Sequence, residues 1–246
     1  MNPTFPSSNW IFVFGSNLAG RHGAGAALTA AKFYGASASV AEGFHGRSYG
    51  LPTKDAQLQP LSLVRIAQSA TRFIAFARSR PDLTFQLTRV GCGLAGYRDE
   101  QIAPLFRGAP ENVFLPCRWI TPRPLRIIIA GGREFDDAVY LRSTVDRLLS
   151  TLAPEQIEIV SGMARGTDQL GWDYAGERGL RRTPFPADWK NLPRFAAGFL
   201  RNEVMAWYSS HLIAFWDGKS RGTAHMIELA RREGLQLRVV KYPQTP

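Results

Sequence analysis

Two groups of glycine-rich turns mark this chain, each placed where an apolar, strand-like run gives way to a helix-like run. The first is Gly15-Ser16-Asn17 with Gly20, Gly23 and Gly25, answered by Gly91-Cys92-Gly93-Leu94-Ala95-Gly96-Tyr97. The second is Gly131-Gly132-Arg133, Ser161-Gly162-Met163-Ala164-Arg165-Gly166 and Ser220-Arg221-Gly222-Thr223. Glycine lets the backbone approach a ligand closely, and a helix N-terminus offers unpaired N–H groups that suit phosphate. Around the second group stand side chains that add chemistry. Arg201 can grip a phosphate through two guanidinium hydrogen bonds, with Arg133 and Arg221 as further cationic candidates and Asn202 alongside. Glu134 and Asp168, with Asp188 behind them, are carboxylates in loops at strand ends, suited to acid–base work or equally to binding a ribose hydroxyl. His225, two residues after Thr223, reads as facing the site or as a packing residue. Trp189, Trp207 and Trp216 read as core or pocket wall, with base stacking as the lesser alternative.

The loops of the first group hold no carboxylate. The nearest acid–base candidate is Pro52-Thr53-Lys54-Asp55, which reads equally as a solvated turn. His22 and His45 lie in glycine-rich surroundings and read as loop hydrogen-bonders rather than catalysts. No metal-ligand spacing is visible, so no metal and no required cofactor are expected.

The elements that must position these residues follow from apolar periodicity. Ile11-Phe12-Val13-Phe14 is a strand running into Gly15, and residues 26–34 are alanine-rich and helix-prone. Leu63, Ile66, Ala67, Ala70, Phe73, Ile74 and Ala77 recur at spacings of three and four, predicting an amphipathic helix stopped by Pro81. A strand over 85–90, a short helix over 99–106 and a strand over 112–115 follow. Pro122 and Pro124 break regular structure, so the boundary is placed there, giving domains of 1–120 and 121–246. The second half then reads as strands at 125–130, 157–160, 212–216 and 237–240, with helices at 138–152, 167–178 and 223–233. Alternation of this kind predicts parallel sheets with ligands at the carboxyl ends of the strands.

With 246 residues and 45% hydrophobic content, the chain can form two cores of ordinary domain size. The formal charge of +10 is spread as +6 over 1–120 and +4 over 121–246, without a basic arm. That excludes a concentrated charge as the basis of nucleic-acid binding, and with no aromatic platform evident in the sequence, nucleic acid is not expected as a partner. Cys92 and Cys117 are too few for a disulfide framework and are expected as free thiols. No apolar stretch has the length of a membrane span, and no signal peptide is evident, so no membrane partner and a cytoplasmic location are expected.

Residues 9–119 resemble macro domains. Asn17, Gly20-Arg21-His22-Gly23-Ala24-Gly25-Ala26-Ala27 leading into a helix, and Gly91 to Tyr97 after a strand are similar to that family's two ligand loops. The resemblance implies that Asn17, Gly23 and Gly25 face the distal ribose of ADP-ribose. It also implies that Gly93, Leu94, Ala95 and Gly96 donate backbone N–H groups to phosphate, with Gly91 and Tyr97 beside them. One group of macro-domain hydrolases carries an acidic residue in the first loop, where this chain has Ala24 and Gly25.

Residues 125–242 resemble the YspA-like branch of the SLOG superfamily, a nucleotide-binding group that includes the LOG-type phosphoribohydrolases. The motifs are Gly131-Gly132-Arg133-Glu134-Phe135, the stretch from Ser161 to Asp168, Pro186-Ala187-Asp188-Trp189, Arg201-Asn202-Glu203-Val204-Met205 and the stretch from Trp216 to Met226. The resemblance implies a ligand-binding set of Gly131, Gly132, Arg133, Ser161, Gly162, Ala164, Gly166, Asn202, Ser220, Arg221, Gly222 and Thr223. LOG-type enzymes use an arginine, matched by Arg201, and a glutamate in a Gly-Thr-x-x-Glu pattern, where this chain has Met226. Met226 can neither accept a proton nor steady an oxocarbenium ion, so Glu134 and Asp168 become the substitutes to test, with Arg201 as the third catalytic candidate.

The expected fold is therefore α/β in two domains, a macro-like α/β/α unit followed by a Rossmann-like, doubly wound parallel sheet. The expected function is binding and hydrolysis of ADP-ribose or a related nucleotide at an N-glycosidic or ADP-ribosyl bond. A non-enzymatic module that senses or sequesters an NAD-derived nucleotide is the alternative. The SLOG resemblance also implies a homodimer.

Overall fold

A computed structural model describes residues 9–242. They form a mixed α/β protein in which strands and helices alternate, and they divide into two compact units, one up to Trp119 and one from Ile120.

In the first unit, β1 (Trp10–Asn17) is central and pairs in parallel with β3 (Ser48–Lys54) and β4 (Thr84–Leu87). The sheet continues from β4 to β5 (Val113–Phe114) in parallel, while the edge strand β2 (Gly43–His45) runs antiparallel to β3. Both faces of β1 are covered, which is why its apolar residues run continuously instead of alternating. Ile11 and Val13 join the core built with Ile66, Ala70 and Phe73 of α2 (Leu63–Ser79). On the opposite face Phe12 stacks on Tyr34 just past α1 (Gly25–Phe33), ring centroids 4.6 Å apart. A short helix, α3 (Asp99–Ile102), continues into a 3-10 turn that brings Phe106 into the α2 core.

In the second unit, five strands lie in the order β10, β9, β6, β7, β8, and every pair is parallel. They are β6 (Leu125–Gly131), β7 (Ile157–Ser161), β8 (Arg181–Pro184), β9 (His211–Trp216) and β10 (Gln236–Lys241). Ile127 and Ile129 of β6 pack with Leu141 and Val145 of α4 (Ala138–Leu149) and with Tyr174 and Ala175 of α5 (Thr167–Glu177). Helices α6 (Arg194–Tyr208) and α7 (Arg221–Arg232) pack on each other, and α7 lies against β6 and β9.

The hairpin of β2 and β3, strand β8 and helix α6 lie outside the sequence expectation. In β3, Pro52 falls where that strand has β1 as its sheet neighbour but no longer β2. It also sits beside a register shift between Ser16 and Asn17, so its missing N–H is tolerated. Lys54 and Asp55 are accordingly a strand end and a turn, and Asp55 Oδ1 accepts from the N–H groups of Gln57 and Gln59. That carboxylate closes its own loop, which corrects its candidacy as an acid–base group. Cys92 and Cys117 form no disulfide with each other.

Candidate functional site

Within the second sheet, the chain leaves β6 toward β7 on one side and reaches β9 on the other. Loops beyond the carboxyl ends of these adjacent strands diverge and leave a crevice, the usual ligand position in such sheets. A cavity of about 1070 Å³ opens there. Gly131 and Gly132 border it after β6, Ala164 and Asp168 come from the α5 entry, Arg201 and Asn202 from α6, and Ser220, Gly222 and Thr223 from the α7 entry. Arg133 and Glu134 also line it. Of the residues expected around this ligand, Ser161, Gly162, Gly166 and Arg221 do not.

The deepest charges are Asp168 and Arg201. Arg201 Nη1 lies 3.4 Å from Asp168 Oδ2 and donates to the Gly162 carbonyl, while Nε donates to Asn202 Oδ1 at 2.9 Å. Burial pushes the Asp168 pKa up and the Arg201 pKa down, with each partner's charge opposing the shift of the other. Arg201 is thus held by protein acceptors on two of its nitrogens, and the bidentate phosphate grip expected of it is corrected to Nη2, the nitrogen with no acceptor among the described residues. Asn202 in turn donates to the Gly222 carbonyl at 3.2 Å, tying α6 to the start of α7.

The loop from Ser161 to Gly166 differs from its expected role as a phosphate cradle. Met163 N donates to Ser161 Oγ at 3.1 Å, and Ala164 N to Asp168 Oδ2 at 3.4 Å, so these amides are already engaged. The glycines serve packing. A methyl on Gly162 would fall 1.7 Å from Arg201 Nη1, and one on Gly166, whose φ is +80°, would fall 2.4 Å from the Gly132 carbonyl oxygen. On Gly131 it would meet the Phe215 carbonyl oxygen of β9 at 2.3 Å, and on Gly132 the Tyr242 hydroxyl at 2.3 Å.

The α7 entry is different. Asp217 Oδ1 accepts from Lys219 N and Ser220 N, fixing the turn, and Ser220 Oγ accepts from Thr223 Oγ1 at 3.0 Å. Ser220 Oγ also caps the helix by accepting from Thr223 N at 3.5 Å, so the first-turn amides without an acceptor among the described residues are those of Arg221 and Gly222, and a methyl on Gly222 would meet nothing within 4 Å. An anion there would meet backbone N–H donors, the positive end of α7 and Arg201 Nη2.

The other acidic residues on the cavity are mostly committed. Glu134 is exposed and pairs with Arg165, and Asp137 caps α4 by accepting from Tyr140 N at 2.8 Å. Glu134 therefore sits exposed at the rim, with its carboxylate held by an arginine. Asp188, 9% exposed, accepts from Asn191 and does not line the cavity. Met226 is 1% exposed and lines the cavity as an apolar wall. Sequence reasoning missed Tyr140, Phe195, Phe199 and Tyr242 as lining residues. The spacing of Phe195, Phe199 and Asn202 after Pro193, one helical face at i, i+4 and i+7, was the available signal.

In the first unit the two loops follow the paired strands β1 and β4 and approach each other: a methyl on Gly25 would lie 3.9 Å from Leu94 Cδ1. Asn17 is buried. Its Oδ1 accepts from Arg21 N at 3.0 Å and its Nδ2 donates to the Arg21 carbonyl at 2.6 Å, so it clips its own loop and does not present its side chain to a ribose. Tyr97 turns toward the core and donates from its hydroxyl to the Leu61 carbonyl. Cys92 N, Gly96 N and Tyr97 N bond within the loop, so of the expected donors Gly96 is engaged. Gly93, Leu94 and Ala95 retain N–H groups with no acceptor among the described residues. Gly91 is buried at φ +77° against Ile102, while methyls on Gly23, Gly93 and Gly96 would meet nothing within 4 Å.

His22 and His45 stack with centroids 6.0 Å apart, and both pKa values are lowered, first by burial. His45 Nδ1 accepts from Ser37 N at 2.8 Å, a loop hydrogen bond. Among the described residues no group of three or more His, Cys, Asp or Glu could hold a metal ion, and no helix is long and apolar enough to cross a membrane.

Residues 125–192 match the YspA, cpYpsA-related SLOG family. The match begins with β6 and ends just before α6, so Arg201, Asn202 and the α7 entry lie beyond it. Among solved structures, the DNA processing protein A (DprA) of Streptococcus pneumoniae aligns at 17% identity and a TM-score of 0.39, covering 47% of this chain and 50% of that one. DNA processing protein A of Helicobacter pylori aligns at 19% identity and a TM-score of 0.38, covering 50% of this chain and 67% of that one. This chain thus spans half the length of the first of these proteins. No curated protein matches the chain.

The expectation that set nucleic acid aside is corrected here. Its premise, that no aromatic platform is evident, fails because Tyr140, Trp189, Phe195 and Phe199 stand exposed around the cavity of the SLOG-like unit; the single-stranded DNA binding mode named for the Helicobacter protein belongs to that protein.

Proposed function

We propose that the SLOG-like unit binds a nucleotide, an ADP-ribose-like compound or nucleoside phosphate, in the cavity between the β6 and β9 loops. One observation carries this reading. The first turn of α7, where Ser220 caps Thr223 and the Gly222 amide is left without an acceptor among the described residues, lines the same cavity as Arg201, at the topological switch point of a parallel sheet. Phosphate would sit against the Gly222 amide and Arg201 Nη2, beside the capping pair Ser220 and Thr223, with Arg133 at the rim. The geometry favours retention of the ligand intact, because Glu134, Asp137 and Asp217 are engaged in ion pairs or turns. Isothermal titration of the full chain with AMP and ADP-ribose tests the reading. No heat of binding at millimolar ligand would sink it.

Hydrolysis of an N-glycosidic bond is a second reading, favoured by Asp168, a cavity-lining carboxyl whose proton affinity burial raises. Chromatography of a nucleotide panel after incubation, with Asp168→Asn alongside, separates the two. Quantitative recovery of every nucleotide leaves binding alone. For the first unit we propose an ADP-ribose-like ligand, as the macro-domain resemblance implies, with phosphate on the amides of Gly93, Leu94 and Ala95. Loss of ADP-ribose binding in Leu94→Pro, which removes one of those donors, is the expected result there.

A further inference from the structure

Four large side chains around the cavity of the SLOG-like unit are exposed although they are aromatic: Phe195 by 75%, Trp189 by 51%, Phe199 by 44% and Tyr140 by 38%. Exposed apolar residues scattered singly are ordinary, whereas several rings gathered on one concavity mark a binding surface. Two of them stand on α6, and a third, Trp189, packs over it. Phe195, Phe199 and Asn202 fall on one helical face, leading from open rings to the buried, hydrogen-bonded Asn202 over seven residues, about 10 Å of helix. Gly198 lies between the two phenylalanines, and the Trp189 indole packs over it, its Cη2 3.7 Å from the place of a Cβ. Phe199 is held edge-on to His225 at 4.6 Å and 80°. Trp189 and Phe199 are therefore braced by the fold, Phe195 stands open beside them, and the wall they form ends at Arg201, Asn202 and the α7 entry.

We propose that this aromatic wall is a stacking platform for a nucleobase, so that the ligand taken here is a base-bearing phosphate and not a sugar phosphate alone. The inference rests on the phosphate site proposed above and names the other end of the same ligand. An aliphatic ligand fits less well, because the opposite end of the cavity is lined by the Asp168–Arg201 pair and Asn202, which require polar partners. A flat π-face against Trp189, Phe195 and Phe199, joined through a sugar to an anion, satisfies both ends. The same chemistry is offered by a free nucleotide and by a single strand of nucleic acid.

Isothermal titration of the full chain with ribose 5-phosphate, AMP and a single-stranded hexanucleotide tests this, using Trp189→Ala and Phe195→Ala, both at exposed rings. The wild-type protein should prefer AMP to ribose 5-phosphate. Each variant should bind AMP about tenfold more weakly, the usual scale for losing one stacking partner, with ribose 5-phosphate unchanged. A hexanucleotide that binds and loses the same factor assigns the base to a strand; one that does not bind assigns it to a free nucleotide. AMP affinity unchanged in both variants, or AMP and ribose 5-phosphate weakened equally, overturns the platform. Failure of the wild-type protein to bind either small probe overturns the phosphate site itself, a distinguishable result.

Discussion

The two units place glycines at the same kind of position, just past parallel strands, and differ in how many stay open: Gly20 and Gly91 of the first unit are packed, but their loops also hold open glycines. In the first unit Gly23, Gly93 and Gly96 face open space, and the amides of Gly93, Leu94 and Ala95 have no acceptor among the described residues. In the second, Gly131, Gly132, Gly162 and Gly166 have neighbouring protein atoms where a methyl would go. Their missing side chains let β6 lie against β9, let Arg201 reach across the loop, and let the α5 entry close on Gly132. Only the α7 entry of that unit resembles the open arrangement. A loop glycine is thus an opening at one position and a close-packed joint at another, and only the atoms around it distinguish the two.

The sharpest way to break this contrast is Gly131→Ala, whose new methyl would strike a backbone carbonyl that cannot rotate away. A loss of about 3 kcal/mol is expected, at the upper end for overpacking, seen as faster hydrogen exchange in peptides of β6 and β9. Asp168→Asn should cost about as much, because it leaves the Arg201 guanidinium buried without its counter-charge. Chemical denaturation would show it, and an unchanged midpoint would refute the structural weight given to that pair. Asn17→Ala, which removes the clip to Arg21, should cost about 1 kcal/mol in the first unit. Gly93→Ala should shift stability by less than about 0.5 kcal/mol, since its methyl enters empty space; a large loss would mean the loop is packed after all.

The finest test concerns protons. Burial lowers the pKa of His22 and His45 below the ordinary 6.5, so the folded state holds both neutral where the unfolded chain would already bind a proton. Their contribution to stability is present above pH 6.5 and is lost as pH falls below it through the folded-state values. The charge of His22 adds to the depression at His45. Proton NMR should therefore give a His45 midpoint below 6.5 that moves upward in His22→Gln.

Periodicity made much of the scaffold legible. The apolar spacing in α2 and the continuous apolar runs of β1 and β6 state their own burial, because a helix face and a two-sided strand leave different patterns. The hairpin through β3 was hidden by Gly50 and Pro52, which read as breakers until their pairing with β1 is known. Helix α6 was hidden because its pocket face carries exposed phenylalanines where an ordinary surface helix carries polar residues. At the site, Gly131, Asp168, Arg201 and Thr223 could be picked out from motifs, but not that Arg201 would bond to Gly162 and Asp168, nor that Asn17 would fold back on Arg21.

The alternation of strands and helices, and the turns placed where a phosphate could be met, are written in the local run of residues. These depend on local dihedral preference and on apolar spacing within a few turns. The tertiary structure alone decided which glycines are open, which carboxylates are already engaged and which rings stand around the cavity. Each of those properties depends on atoms brought in from distant parts of the chain, as when Arg201 fills the space beside Gly162.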